Sequence, residues 1–575
     1  MKTLLSGNEA VARGAFECGV RFAAGYPGTP STEILENIIK YEPIKAQWCP
    51  NEKVALEVAF GAATGGARSI ATMKHVGLNV AADPLFSASY AGVNAGLVII
   101  SADDPGMHSS QNEQDNRWFA KAAKIPMFEP SDSQESKDFL KAAIELSEKY
   151  DTPVLLRMTT RISHSKTVVK IDEVIDPPRK TFIKNFQKNV LLPSNARHRH
   201  TFVEQRMKEI EHLNNNSPYN LFELKSEEIG IITSGISYQY AKEVFPEASF
   251  LKIGLTNPLP KKLILEFSLR VKKIIVIEEL DPYLEEQIRA MGIDVVGKDI
   301  FPIEGELNQD IIEKSYYKIE KKEPEKLQIP NRPPTLCPGC SHRGMFYIFK
   351  KLHLNVTGDI GCYTLGALPP LKAMDTCLCM GAGITMAYGI EEATEKKLAN
   401  KTIGVIGDST FLHSGITGLM NIVYNQGITT ICILDNNVTA MTGHQEHPAS
   451  GKNIKGFPAP KIDLKKLCEA VGIKRVRVVN PYNLDEIEKV LTEELNTQEP
   501  SVIISEAPCL LHEKPGFNKP LKIIRESCEN CGVCISLGCS AIGIDNEGNI
   551  YIDPLLCPGC TLCQQVCKFN AIIEL

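Results

Sequence analysis

Eight of the 18 cysteines fall between Cys528 and Cys567, in two dense runs near the end of the chain. No other feature limits the possible folds so tightly. The first run is Cys528, Cys531, Cys534 and Cys539; the second is Cys557, Cys560, Cys563 and Cys567. A disulfide framework suits a short secreted chain, and this one has 575 residues. Its opening, MKTLLSGNEAVARG, lacks the apolar core of a signal peptide. Clustered thiols in a reducing compartment therefore read as metal ligands. Zinc ribbons use two separated C-x2-C pairs per ion, whereas two dense quartets fit cubane iron–sulfur clusters.

The second run has the C-x2-C-x2-C-x3-C spacing of bacterial ferredoxins, which it resembles. The first departs from it, with four residues, 535–538, before the last cysteine. Neither run carries the usual trailing proline, having Ser540 and Lys568 there. In such ferredoxins the fourth cysteine of each run serves the other cluster. The resemblance thus implies one [4Fe–4S] cluster on Cys528, Cys531, Cys534 and Cys567, and a second on Cys557, Cys560, Cys563 and Cys539.

A chain of this length implies roughly three to five domains. Hydrophobic content of 43%, charge of 23% and a net charge of −6 are ordinary for a globular protein. No Lys/Arg-rich run suggests nucleic-acid binding, and no segment approaches the ~20 apolar residues of a membrane helix. The expected location is cytoplasmic. The apolar runs LVIIS (97–101) and TPVLLRM (152–158) read as buried parallel strands of a first α/β domain, 1–192. Residues 193–228 are polar and without clear period, and read as a linker or surface excursion, weakly helical around 202–213. A second α/β unit, 229–320, carries strands near 230–233 and 273–279. The charged, proline-rich stretch 321–334 reads as an extended connector. A third α/β unit, 335–511, contains TIGVIG (402–407) and TTICIL (429–434), and the cysteine-rich domain occupies 520–575.

The strand TIGVIG runs into Gly407-Asp408-Ser409, and the next strand ends in Asp435-Asn436-Asn437-Val438. A carboxylate and an amide at adjacent strand ends converge at the carboxyl edge of a parallel sheet, where α/β proteins bind ligands. Such oxygen donors suit Mg²⁺, and a helix starting near Ser409 would aim its N–H groups at a pyrophosphate. The separation of about 28 residues from Asp408 to Asn436 resembles the thiamine-diphosphate signature GDG…NN, with Ser409 in place of glycine. That likeness makes Gly407, Asp408, Ser409, Asn436 and Val438 the candidate cofactor-binding residues, with Asp408, Asn436 and Val438 on Mg²⁺.

Tyr26-Pro27-Gly28-Thr29-Pro30-Ser31-Thr32-Glu33 resembles the YPxTPSxE segment of the 2-oxoacid:ferredoxin oxidoreductases, and Asn51–Glu57 resembles the acidic segment that follows it. Thiamine enzymes need a carboxylate against N1′ of the aminopyrimidine. Counting back from the glycine of MKHVG, Gly77, places Glu52, rather than Glu57, at the position that the resemblance implies for this carboxylate; Glu57 reads as a solvated helix position. The resemblance brings the Thr29 hydroxyl to the substrate carboxylate. It covers nearly the whole chain and is nearest to the large (alpha) subunits of indolepyruvate:ferredoxin oxidoreductases, through GYPGTPSTEI, CPGCSHRG (337–344), GDIGCYTLG (358–366) and TAMTGHQ (439–445). It implies an α/β chain: several doubly wound parallel-sheet thiamine-enzyme domains, the middle one transketolase C-terminal-like, plus a small C-terminal two-cluster ferredoxin-like α+β domain. It also implies oxidative decarboxylation of aryl pyruvates with coenzyme A to aryl-acetyl-CoA, electron delivery to ferredoxin, and a smaller beta subunit completing a heterodimer.

Cys337, Cys340 and Cys362 match positions that ligate a third cluster near thiamine in related oxidoreductases, with Cys509 where a fourth ligand could sit; a metal-free thiol site is the alternative. Cys18, Cys49, Cys377, Cys379, Cys432 and Cys468 read as buried small hydrophobes. His75 and His444 flank the expected cofactor loops as candidates for substrate handling. No GxGxxG fingerprint calls for flavin or nicotinamide. The rival functions are oxidation of pyruvate or 2-oxoglutarate, a non-oxidative thiamine decarboxylase, and a pure electron carrier.

Overall fold

Each expected strand forms, because a continuous apolar run can bury both faces only inside a parallel sheet covered by helices. A computed structural model of the chain describes residues 1–318, 329, 332–513, 516, 517 and 519–575. Most of the expected connector at 321–334 lies outside them. The chain divides into two compact units, Met1–Lys326 and Leu327–Leu575.

The first unit is built on a seven-stranded sheet. Its order is Leu255–Asn257, Met127–Phe128, Val154–Thr159, Leu97–Asp103, Ser69–Lys74, Phe22–Gly25 and Lys45–Trp48, parallel except for the first strand. A second, four-stranded sheet (Lys273–Ile277, Ile229–Thr233, Ser249–Lys252, Leu221–Glu223) belongs to the same unit. The strand Leu255–Asn257, from the expected 229–320 domain, pairs with the first sheet, and one apolar core contains Leu56, Leu155, Ile232 and Phe267. The two domains of the sequence reading thus share a core.

Residues 193–228 require a correction. Pro193–Asn214 is a 22-residue helix, not a linker. Val203, Arg206, Ile210 and Asn214 are buried along one face. Polar side chains hold two of those positions, and this hid the period. The Arg206 guanidinium donates to the carbonyls of Ser89, Asp151 and Lys124, and Asn214 Nδ2 to those of Leu255 and Pro258.

The second unit carries a six-stranded parallel sheet in the order Thr376–Cys377, Asn355–Gly358, Thr402–Gly407, Thr430–Asp435, Ser501–Glu506, Arg475–Val479. The cysteine-rich segment forms two antiparallel ribbons, Leu521–Ile523 with Ile572–Glu574 and Ile542–Ile544 with Ile550–Ile552. It is not tethered apart: Leu521, Leu537, Ile550, Leu562 and Ile572 join Phe346, Phe349, Leu484 and Ile487 in one core. Cys18, Cys49, Cys432 and Cys468 are buried as expected, but Cys377 and Cys379 are exposed. They lie on and just beyond the edge strand of the sheet, which has a neighbour on one side only.

Candidate active site and cysteine-lined cavities

In the first unit Glu52 opens the helix Glu52–Thr64, capped by Asn51, whose side chain accepts from Val54 N at 2.9 Å. Glu52 is buried, and a Cβ on Gly77 would stand 2.6 Å from its Oε1, so the lack of a side chain at Gly77 lets the helix His75–Val80 lie directly over this carboxylate in its present position. Glu57 lies on the outer face, ion-paired to Lys53. The turn bearing Thr29 is closed by Gly28 N donating to Thr32 Oγ1 at 2.9 Å and Ser31 Oγ to Gly28 O at 2.8 Å. Lys74 packs beneath Gly28 and donates to Ser109 O at 2.6 Å; burial pulls its pKa down to about 8. His75 is buried against Asn112 at 3.2 Å, and burial holds its pKa below the ordinary value.

In the second unit the strands Thr402–Gly407 and Thr430–Asp435 pair in register, Gly407 opposite Leu434. Asp408 and Asp435 therefore leave adjacent strand ends, and their carboxyl groups share a hydrogen bond. Burial and the neighbouring Asp408 charge push Asp435 up to about 7, while His447 holds Asp408 below the usual carboxylate range against the opposing effect of burial. The helical stretch begins at Asp408, one residue before the expected Ser409. A Cβ on Gly407 would meet the Tyr363 ring at 2.7 Å. Ser409 Oγ accepts from Thr439 Oγ1 at 2.9 Å, and Asn436 Oδ1 from Val438 N at 3.3 Å.

Sequence reasoning missed two histidines. His447 Nε2 lies 3.1 Å from Asp408 Oδ2, and its Nδ1 accepts from Ala449 N at 3.2 Å, which leaves the proton on Nε2 and aims it at the carboxylate. His342 Nε2 lies 3.5 Å from Asn436 Nδ2. Burial lowers the His342 pKa to about 4, so the ring is neutral and accepts from the amide. His342 stood inside the quoted CPGCSHRG motif; His447 had no spacing to signal it.

The cysteines expected to act together are brought together. Cys337, Cys340, Cys362 and Cys509 line one cavity of about 580 Å³, with His342, Asn436 and His444 in its wall. Cys509 N donates to the Asn436 carbonyl at 3.0 Å, tying this cavity to the strand end beside Asp408. Cys528, Cys531, Cys534 and Cys567 line a second cavity of about 330 Å³. Cys539 acts electrostatically on Cys560 and Cys563, together with Cys557. Each final cysteine thus stands with the opposite run. Burial pushes Cys340 up to about 12 and Cys560 to about 11, so metal would have to displace protons. Among the described residues no three His, Cys, Asp or Glu side chains converge as a single ion would require.

The two upstream and downstream C-P-G-C loops touch. A Cβ on Gly339 would stand 2.4 Å from Pro558, and Tyr482, whose hydroxyl donates to Gly339 O at 2.9 Å, feels Cys340, Cys509 and Cys560 together.

Residues 13–216 match the family model described as pyruvate flavodoxin/ferredoxin oxidoreductase, thiamine diP-bdg, and residues 359–505 match the thiamine pyrophosphate enzyme, C-terminal TPP binding domain. The first match runs through the helix Pro193–Asn214. These two domains define a thiamine-diphosphate-dependent 2-oxoacid oxidoreductase. The indolepyruvate oxidoreductase subunit IorA of Archaeoglobus fulgidus is 40% identical over 99% of this chain and 97% of its own length. That of Pyrococcus horikoshii is 37% identical over 99% and 96%. The 2-oxoglutarate synthase subunit KorA of Methanothermobacter marburgensis is 31% identical, over 30% of this chain and 48% of its own. The chain belongs to the IorA family of indolepyruvate oxidoreductase subunits. No helix among the described residues is long and apolar enough to cross a membrane.

Proposed function

We propose that this subunit oxidatively decarboxylates aryl pyruvates, indolepyruvate among them, with coenzyme A to aryl-acetyl-CoA and CO₂, and passes the electrons through [4Fe–4S] clusters to ferredoxin. A smaller beta subunit completes the enzyme. The observation that carries the reading is the cavity lined by Cys337, Cys340, Cys362 and Cys509 immediately behind Asn436. When bound, thiamine diphosphate supplies the carbon chemistry that releases CO₂ from a 2-oxoacid, and cubane clusters take electrons singly.

The residues present fit those groups. Asp408, the Asn436 amide and the Val438 carbonyl offer the hard oxygen donors that Mg²⁺ prefers, with Gly407 and Ser409 beside the diphosphate. His447 orients the Asp408 carboxylate and His342 fixes the Asn436 amide, so Asp408 Oδ1 and Asn436 Oδ1, each accepting one backbone N–H, keep a lone pair for the ion. Glu52 holds a proton at N1′ of the aminopyrimidine, and the Thr29 hydroxyl meets the substrate carboxylate. Cys539, Cys557, Cys560 and Cys563 would hold one cluster beside the Cys337 cavity, where the C-P-G-C loops touch, and Cys528, Cys531, Cys534 and Cys567 would hold another, with Cys531 exposed; bound there, the clusters would supply one-electron transfer toward ferredoxin.

The test begins with thiamine, magnesium and iron contents of the anaerobically purified enzyme. Reduction of ferredoxin or viologen is then followed with indolepyruvate, phenylpyruvate, pyruvate and 2-oxoglutarate in the presence of coenzyme A. Aryl pyruvates should be the better substrates; a preference for pyruvate or 2-oxoglutarate would overturn the substrate assignment. Asp408→Ala should lose Mg²⁺-dependent thiamine binding and keep its iron. Unchanged cofactor affinity would rule out the diphosphate site.

A further inference from the structure

Arg343 follows the C-P-G-C loop and is 1% exposed, one of the largest fully buried side chains of the molecule. Its Nη2 donates to the carbonyls of Leu336 and Cys337, each at 2.8 Å, and its Nη1 to the carbonyl of Leu537 at 2.7 Å. Nε has no hydrogen-bond partner, and among the described residues no carboxylate pairs with the guanidinium. A buried cation without a counter-ion is costly, because desolvation is repaid only by opposite charge nearby. Here no carboxylate of the described residues supplies that charge. The carbonyls it holds belong to cysteine motifs, Leu336 and Cys337 to the upstream C-P-G-C loop and Leu537 to the segment between Cys534 and Cys539. Cubanes ligated by four thiolates are anionic, and one is proposed on either side.

Leu537 belongs to the one part of the tail whose spacing departs from that of ferredoxins, the four residues between Cys534 and Cys539. The extra residue permits a 3₁₀ turn, Val533–Leu537, ended by Gly538 at φ +67°. That left-handed position favours glycine, and it turns the Leu537 carbonyl onto Arg343; a Cβ on Gly538 would lie 3.5 Å from Nη1. The longer loop thus has a use: it lets the tail grip an arginine from the upstream cysteine motif.

We propose that Arg343 is a positioning and potential-setting residue shared by two adjacent clusters, that of Cys337, Cys340, Cys362 and Cys509 and that of Cys539, Cys557, Cys560 and Cys563. It fixes their separation through three carbonyls, and its charge raises the reduction potential of both. The proposal rests on the cluster assignments above.

Redox titration of the full-length, iron-loaded protein followed by electron paramagnetic resonance tests it. Arg343→Gln should make the two flanking clusters harder to reduce, by about tenfold in the reduced-to-oxidised ratio at a fixed potential, ~59 mV for one electron. The cluster of Cys528, Cys531, Cys534 and Cys567 should not move, and Arg343→Lys, which keeps the charge, should titrate like the wild type. Unchanged potentials in Arg343→Gln, or a shift of all three clusters alike, would overturn the proposal. If Arg343→Gln fails to load iron, Arg343→Lys decides alone: wild-type potentials support the role and shifted ones refute it. A wild-type chain with no cluster signal from the Cys337 cavity overturns the cluster reading itself, and Arg343 with it.

Discussion

Glu52 and Gly77 form a pair in which one residue's chemistry depends on the other's lack of a side chain. A methyl at Gly77 would meet the Glu52 side chain at Cγ, Cδ and Oε1, 2.6–2.8 Å away, its nearest neighbours and none of them backbone, so the side chain would give way. Gly77→Ala should therefore leave the thermal midpoint nearly unchanged and displace the carboxylate. Misplacement of a catalytic group by about 1 Å can cost ~10²-fold, and turnover should fall by about that factor. Glu52→Gln should lose ~10²-fold or more, because an amide cannot hold the proton, with thiamine and iron retained. Near-normal turnover in both variants would move the role away from Glu52. The family resemblance favoured Glu52 over Glu57, and the structure packs Glu52 against Gly77 while Glu57 pairs with Lys53 on the outer face. His447 was illegible for the opposite cause: nothing within a few residues of it names Asp408, 39 positions away, as its partner.

At the scale of elements, strands were the legible part. Runs such as TIGVIG and TTICIL need no partner to reveal themselves, since burial on both faces demands an unbroken apolar run. The helix Pro193–Asn214 was read only as weakly helical around 202–213, because its buried stripe contains Arg206 and Asn214, residues whose work is hydrogen bonding to backbone carbonyls of other elements. Arg206→Met keeps the length and apolar stem but strands the carbonyls of Ser89, Asp151 and Lys124. Leaving buried acceptors unsatisfied costs about 1–3 kcal/mol each, partly relieved by relaxation. We expect about 2–4 kcal/mol of lost stability in the first unit, read by chemical denaturation, with no change in the iron signal of the tail. An unaltered denaturation midpoint would mean that the helix is held by Val203 and Ile210 alone.

For the molecule as a whole, the two expected halves of the thiamine site belong to different compact units, Glu52 and Thr29 to the first, Asp408 and Asn436 to the second. Every cysteine assigned to electron transfer lies in the second unit. The crossed grouping of the tail cysteines was readable because spacing is local. The contact of the tail with the upstream motif was not, since Gly339 against Pro558 and Gln565 against Tyr482 are long-range packing. On the electron path proposed above, that contact makes the tail part of the route. Cys563 is buried within its group, and a hard serine oxygen is a poor substitute for thiolate on iron. Cys563→Ser should damage the cluster nearest the Cys337 cavity and so interrupt the path between that cavity and the exposed cluster. Release of CO₂ in a single turnover depends on the residues around Glu52 and Asp408, and should persist. Steady-state reduction of ferredoxin should fall sharply. If the variant reduced ferredoxin at the wild-type rate, electrons would have to leave directly from the cavity of Cys337, Cys340, Cys362 and Cys509, and the tail would not be their obligatory exit.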